Sequence, residues 1–578
     1  MYSTVKNVQI LISLLKQHKI KYFVNSPGSR NTPLVHSIEN DPDFKCFSIV
    51  DERSAAFFAL GLSEALDEPV CVTCTAATAT CNYAPAMKEA YERNIQLVAL
   101  TADRERYELF QMKEQLINQV NMYNEFVKYA IDVPEVKNMD DEIYANRIIN
   151  EALLELNHNE KGPVQINYSV IDWGSFSVKE IPKQRLITRI SREELEEEKI
   201  KKLLDGKEKI IFYIGMDITK DDELNKILSI IEKQYNCVVL CDNYSNINGE
   251  HFINASVLGE CITNNEIKEM LPDLIITIGT VFYSPIRNYL TNTNYKFEHW
   301  HIAIDGVVND AFKKLTNVFE CTPIEFLKVI NNKKLNNNYQ YYNIWKKRID
   351  EVKYEDLKFT NFSVIRDFCS KVPENSIVHA SVLNAIRISN YFGFKDNVKC
   401  YANVGADGID GALSTYIGEA NATNNLAFLL IGDLSFLYDL NSIDYINKNN
   451  MRILLINNYA GAEFYKNFGL QMIPTLDKHV AARHHTKIKN AILSKNIKYI
   501  KAENQNELED GLSQLFSESN QPILLEVFTD ANTDASTLKN FWSDNRKEGI
   551  KGKIKKTLKG ILSPDQIHTL KKLLKGKK

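Results

Sequence analysis

The sequence predicts an α/β protein of three doubly wound parallel-sheet domains followed by a basic helical tail. Three observations carry that prediction. Short Val-, Ile- and Leu-rich runs alternate with longer segments of helical period, the grammar of parallel sheets covered on both faces. The length of 578 residues allows three or four domains at about 150 residues each. Two polar connectors, "ISREELEEEKIKKLLDGKEK" and "NNKKLNNNYQYYNIWKKRIDEVKYE", divide the alternation into three blocks.

The first block, residues 1–185, opens with the helical period of "MYSTVKNVQILISLLKQHKI" and continues through strand-like runs "KYFVNS", "FSIVDE", "PVCVTC", "IQLVALT" and "PVQINYS". The second, 186–345, has "IIFYIG", "VVLCDN", "LIITIG" and "HIAIDG" and reads as a six-strand doubly wound unit. The third, 346–545, has "SIVHAS", "VKCYANV", "LAFLLIGD", "MRILLINN" and "PILLEVFT". No short-period repeat interrupts this pattern.

Composition narrows the function classes. Hydrophobic content of 44%, charged content of 25% and a net charge of -4 describe an ordinary soluble protein and give no footprint for nucleic acid. The expectation is a cytoplasmic chain, since no run approaches the roughly 18 apolar residues of a membrane span and the first segment reads as an amphipathic helix rather than a signal peptide. Ten cysteines lack the paired spacing of a zinc site, and "CVTC" at 71–74 lies in a strand-like run, so reduced core thiols are expected.

Residues 546–578 are electrostatically separate, with twelve Lys or Arg against Glu548 and Asp565, a net +10 that leaves -14 on the other 545 residues. Within them "SPDQIHTLKKLL" carries a helix start, with Ser563 as N-cap, Pro564 at the first helical position and Gln566 completing a capping box. Ile567, Leu570, Leu573 and Leu574 share one face. Two readings stand side by side: an anchor to an anionic partner or to the inner face of the membrane, and a solvated basic tail.

The chemistry-bearing stretch is "GDLSFLYDLNSIDYINKNNMRILLINNYAGAEF", residues 432–464. Two apolar runs each end on an oxygen-bearing side chain, Asp433 and Asn458, with 24 residues between them. A carboxylate, an amide oxygen and a backbone carbonyl at the carboxyl ends of parallel strands suit Mg2+, which takes hard oxygen ligands and shares them with phosphate. The Gly-Asp turn leads into a helix whose free N–H groups favour that phosphate.

This span resembles the diphosphate-binding motif of thiamin-diphosphate enzymes. The resemblance implies that Asp433, Asn458 and the carbonyl of Ala460 bind Mg2+ (or Mn2+), with alanine where the family usually has glycine. Longer stretches point to one branch. "NSPGSRNTPLVHS", "VDERSAAFFALGLSEA", "LVALTADRER", "GADGIDGALST" and "GDLSFLYDLNSI" are similar to the ordered signatures of the MenD family, up to about residue 540. That family makes 2-succinyl-5-enolpyruvyl-6-hydroxy-3-cyclohexene-1-carboxylate.

The resemblance names the blocks as pyrimidine-binding, central and diphosphate-binding domains. It makes Glu52 the catalytic carboxyl that activates the cofactor, a role helped by a carboxyl that stays protonated in an apolar setting. Ile409 becomes the wedge that bends the cofactor. Thr78, Asn82, Asp407, Asp410, Gly411, Gly432, Leu434, Ser435 and Phe464 complete the cofactor-binding set. It also implies a homodimer or tetramer, in which Glu52 of one chain serves the site of the other. Ser29, Arg30, Arg104, Gln115, Arg287 and Arg387 match the carboxylate-binding set, and arginine is the natural bidentate partner of a carboxylate.

The match departs at the pocket. Val404 stands where the family has a donor-binding arginine, Ala76 and Ala77 replace Ser and Gly, and Glu463 stands where an apolar side chain contacts the acceptor. A carboxylate facing the doubly anionic isochorismate is unfavourable unless paired or protonated. The expectation is decarboxylation of a 2-oxoacid, 2-oxoglutarate favoured, with transfer to another acceptor such as an activated sugar in surface-glycan synthesis. The menaquinone-pathway synthase itself and a non-catalytic scaffold of the same fold remain as alternatives. The Arg483, His484, His485 cluster reads as surface loop and is left out of the catalytic set.

Overall fold

The computed structural model describes residues 1–547 except 217–221, 332, 334, 355–357, 396 and 467–469. The capping box and apolar face expected at 563–574 lie outside the described residues. The chain divides into two compact units, Met1–Arg192 with Asp305–Glu320, and Glu193–Ile304 with Cys321 onward.

In the first unit, strands β1 (Tyr22–Asn25), β2 (Lys45–Ser48), β3 (Val70–Cys74), β4 (Leu97–Asp103), β5 (Tyr129–Val133) and β6 (Val164–Ser169) form an all-parallel sheet in the order β2-β1-β3-β4-β6-β5. Side chains alternate between its faces. Phe23, Cys71 and Val98 join one core with the helix Lys6–Gln17, while Val24, Val72 and Leu97 join another with the helix Glu52–Leu66. The apolar runs are continuous because both faces are covered. Cys71 and Cys74 are buried free thiols, as the strand reading predicts.

The middle block contributes β7 (Thr188–Ser191), β8 (Ile210–Ile214), β9 (Cys237–Cys241), β10 (Phe252–Asn254), β11 (Leu274–Ile278), β12 (Glu298–Ile302) and β13 (Leu315–Glu320). In the second unit the strands run parallel as β10-β9-β8-β11-β12, and in the first unit β13 pairs in parallel with β7. Three of these seven, β7, β10 and β13, are short or interrupted by polar residues and carry no apolar run in the sequence.

The third block holds β14 (Ile377–Ala380), β15 (Lys399–Tyr401), β16 (Ala427–Gly432), β17 (Met451–Asn457), β18 (Lys498–Ala502) and β19 (Ile523–Phe528), in the order β15-β14-β16-β17-β19-β18. Gly432 of β16 lies opposite Ile456 of β17. The two strands therefore end level, which brings Asp433 and Asn458 to one edge. No helix among the described residues is long and apolar enough to cross a membrane.

Candidate active site

In the third block a cavity of about 170 Å³ opens at the carboxyl ends of β14, β16 and β17, where the strand order reverses. Its wall includes Leu383, Ile409, Gly432, Asp433, Leu434, Ser435, Asn458, Ala460, Glu463 and Phe464. Asp433 and Asn458 are 3% and 8% exposed. Asp433 Oδ1 accepts the amide of Leu434 at 2.8 Å, and Oδ2 lies 3.1 Å from His484 Nε2. Asn458 Nδ2 donates to Asp534 Oδ2 at 2.9 Å, while its Oδ1 accepts the Ala460 amide at 3.2 Å.

The turn that presents the third oxygen explains why alanine serves there. Tyr459, not Ala460, takes the left-handed conformation, at φ 60°, so a methyl group at 460 meets no backbone penalty. The Ala460 carbonyl accepts Ala462 N at 3.0 Å and keeps a second lone pair. A buried set of one carboxylate, one amide oxygen and one carbonyl is an all-oxygen donor set and fits Mg2+ or Mn2+. Beside it, Ser435 Oγ donates to the Ile409 carbonyl at 2.5 Å, fixing Ile409 against the Gly-Asp turn.

Other predicted residues lie away from the cavity wall. Gly411, at φ 77°, caps the helix Ala412–Asn421, and Asp407 and Asp410 are exposed. Partial desolvation by its neighbours still raises the Asp407 carboxyl, against the opposing pull of Arg387. Val404 is buried and apolar, and Arg287 is exposed on the short helix Ile286–Leu290.

Two of the predicted substrate residues, Arg387 and Glu463, are paired with each other. Arg387 grips Glu463 through Nη1–Oε2 at 2.5 Å and Nη2–Oε1 at 3.3 Å, and Lys466 Nζ lies 2.6 Å from Glu463 Oε1. Burial works against the Arg387 charge, but the Glu463 carboxylate outweighs it and leaves the guanidinium more firmly protonated than usual. Burial and the neighbouring Arg387 lower Lys466. Glu463 is therefore a carboxylate shared by two cations, and the arginine expected to meet a substrate carboxylate is engaged from within the chain.

In the first unit the candidate residues also gather at strand ends. Ser29 and Arg30 follow β1, Glu52 begins the helix after β2, Thr78 and Asn82 follow β3, and Arg104 follows β4. Asn82 Nδ2 donates to Glu52 Oε2 at 3.2 Å, and Glu52 is half-buried while Thr78 and Asn82 are exposed. Gly28 lets the first loop pack on the third, because a Cβ there would sit 2.3 Å from Thr75 Cβ. Arg30 Nη1 is spent on the carbonyls of Val170 and Ile171, at 2.9 and 3.1 Å. Arg104 Nη2 donates to Gln115 Oε1 at 3.2 Å, and its buried Nε has no partner among the described residues, a donor suited to an anionic ligand.

Ala77 departs from glycine yet keeps a backbone that glycine favours, φ 68° and ψ -126°. Its amide donates to Gln119 Oε1 at 2.7 Å, and Gln119 is held in turn by Ala102 O and Asn167 Oδ1. Sequence reasoning did not single out Gln119, Lys466 or Asp534, and it placed His484 on the surface. Burial pushes the Asp534 carboxyl up to about 6, offset in part by the Asn361 amide, Asn458 and Thr529.

Known proteins match along almost the whole chain. Residues 5–122 match the model of the thiamine pyrophosphate enzyme N-terminal TPP binding domain. The 2-succinyl-5-enolpyruvyl-6-hydroxy-3-cyclohexene-1-carboxylate synthase of Bacteroides fragilis is 35% identical over 562 residues, covering 94% of this chain and 99% of the relative. The synthases of Bacteroides thetaiotaomicron and Flavobacterium johnsoniae are 34% and 30% identical, each over 94% of this chain and 99% of theirs. At 35% identity along 94% of its length, the chain belongs to the MenD family of thiamin-diphosphate-dependent enzymes.

Proposed function

We propose that this enzyme decarboxylates a 2-oxoacid, 2-oxoglutarate by the family resemblance, and joins the remaining acyl unit to an acceptor that is not a dianion. An activated sugar or another polyol carbonyl compound, as in surface-glycan synthesis, meets that description. The observation that carries this reading is the ion-paired Glu463 on the cavity wall, which already occupies Arg387 and Lys466. Buried Val404 supports it, since a second arginine is replaced by an apolar side chain. Glu463 cancels one of the two positive charges beside it and so weakens their pull on a substrate carboxylate, whereas an acceptor bearing hydroxyl groups loses nothing there.

Thiamin diphosphate supplies, when bound, the sink for the electron pair left as carbon dioxide departs. Asp433, Asn458 and the Ala460 carbonyl would hold the cation that ties down its diphosphate, and Ile409 would orient it. Glu52 would hold the proton exchanged with the aminopyrimidine ring, with Asn82 fixing the carboxyl. Val50, Phe57 and Phe58 are exposed beside or on the Glu52 helix, which supports a second copy of the chain covering that edge. The basic residues at 546–578 would place the assembly at an anionic membrane surface.

A second reading is the menaquinone-pathway synthase using isochorismate, favoured by the 35% identity along nearly the whole chain. Carbon dioxide release with 2-oxoglutarate, thiamin diphosphate and Mg2+, with and without isochorismate, separates the two. Turnover with isochorismate left intact supports the altered acceptor, and its consumption establishes the synthase. Replacing Val404 by Arg, or Glu463 by Ile, is expected to change donor or acceptor selectivity, and unchanged selectivity in both variants would sink the altered-acceptor reading.

A further inference from the structure

The two candidate side-chain ligands of the cation each have a partner behind them, and each partner dictates which atom the ligand presents. An asparagine amide is nearly symmetric in shape, so a metal site needs something to distinguish its oxygen from its nitrogen. Asp534, 1% exposed on the helix Ala531–Asp544, is such a device. Its carboxylate accepts from the Asn361 amide at 2.9 Å, the Thr529 hydroxyl at 2.7 Å and Asn458 Nδ2 at 2.9 Å. An ionised carboxylate only accepts. Asn458 must therefore turn its nitrogen to Asp534 and its oxygen to the Ala460 turn.

His484 does the same for Asp433. The His484 amide donates to the Tyr459 carbonyl at 2.9 Å, and the imidazole meets the Tyr459 ring edge-on at 5.7 Å between centroids. Nδ1 accepts the Thr486 amide at 3.2 Å, and a backbone amide has no other role than donor. The ring proton is thereby placed on Nε2, the atom 3.1 Å from Asp433 Oδ2. A nitrogen carrying that proton is a donor to the carboxylate and not a ligand to a cation. Asp433 is held from both sides, by Leu434 N on Oδ1 and by His484 on Oδ2.

We infer that Asp534 and His484 are the positioning residues of the divalent-cation site, fixing the Asn458 amide and the Asp433 carboxylate before the cation arrives. This rests on the reading of Asp433 and Asn458 as ligands. Partners of this kind set metal affinity by about 10–100-fold. The isosteric change Asp534→Asn is the sharp probe. With its oxygen taken by the Asn361 amide, the new NH2 group would face the NH2 group of Asn458 and turn the Asn458 oxygen away from the cation.

The test is Mn2+ binding to the full chain in the presence of thiamin diphosphate, read from the EPR signal of free Mn2+, with thermal unfolding of the metal-free protein as control. Asp433→Ala and Asn458→Ala should abolish binding. Asp534→Asn and His484→Ala should each weaken it at least tenfold at unchanged metal-free unfolding temperature, and His484→Gln, which restores an N–H donor, should recover most of the loss. If Asp534→Asn fails to fold, Thr529→Val removes one donor that fixes the Asp534 carboxylate and should weaken Mn2+ in the same direction. Wild-type affinity in His484→Ala and in the Asp534 or Thr529 variant overturns the inference, as does tighter binding in His484→Ala, which would make the imidazole a competitor for the cation. Normal Mn2+ binding in Asp433→Ala and Asn458→Ala would instead overturn the ligand assignment beneath it.

Discussion

The first and third blocks are wound alike, β2-β1-β3-β4-β6-β5 and β15-β14-β16-β17-β19-β18, yet they finish their site edges in opposite ways. In the third block the polar side chains at the strand ends are buried and partnered within their own unit, as Asp433, Asn458 and Asp534 are. In the first, Glu52 is half-buried, Thr78 and Asn82 are exposed, and the flanking Phe57 and Phe58 are 42% and 43% exposed. One sheet carries a cavity lined by buried, partnered oxygens, and its topological twin carries an open edge. Shared strand order dictates where a site lies, and the loops decide whether it is complete.

The comparison breaks most visibly if the finished pocket is emptied. Asp433→Ala should remove measurable heat of thiamin diphosphate binding in Mg2+, while Glu52→Gln should leave that heat in place. The glutamine variant instead lacks the carboxyl proposed to hold the proton, so on that proposal its kcat should fall by about 10²–10⁴-fold, the usual worth of a positioned acid or base. If both variants bound cofactor equally well, the division between a binding edge and a chemical edge would be wrong.

Openness of the first edge gives a smaller effect. Phe58→Lys places a charge on an exposed apolar face without touching the Asn82–Glu52 hydrogen bond. Self-association measured by sedimentation should weaken by about tenfold or more, equivalent to roughly 1.4 kcal/mol, and specific activity should become dependent on protein concentration. A matching change at Tyr438, exposed on the third block, would test whether that face is covered as well. Unchanged association in both would leave the exposed aromatics without a partner.

The same twin sheets show what a sequence discloses. The central strands of both are continuous apolar runs, and they and the positions of Asp433 and Asn458 at their ends were legible because burial on two faces forces that composition. The fifth strand of each sheet was not. "YAIDV" and "KYIKA" are β5 and β18, both outermost and both partly exposed, so one face is free to be polar and the run dissolves. Site residues divide in a similar way. The candidate ligands Asp433 and Asn458 stand in a motif, but Asp534 and His484 meet them through contacts 76 and 51 residues distant in sequence, and nothing local distinguishes these two from solvated side chains.

The smallest effect concerns a conformation the two blocks share. Ala77 sits at φ 68°, ψ -126° before the helix Thr78–Cys81, and Leu383 at φ 68°, ψ -119° before the helix Asn384–Ser389. Side chains with a Cβ disfavour this region at a cost of about 1–3 kcal/mol. At Ala77 the strained backbone is held by a side chain distant in sequence, since Gln119 takes the Ala77 amide. Ala77→Gly relieves the strain and surrenders only one methyl group, so after the greater unfolded-chain entropy of glycine it should stabilise the protein by about 1 kcal/mol in urea unfolding. Leu383→Gly relieves the same strain but strips a side chain from the cavity wall, so it should come out near neutral or destabilising by about 1 kcal/mol. A stabilised Ala77→Gly variant with unchanged kcat would mark the alanine as strain that the fold merely tolerates. A stabilised variant with lowered kcat would mean that Ala77 and Gln119 together hold the Glu52 edge in its working shape.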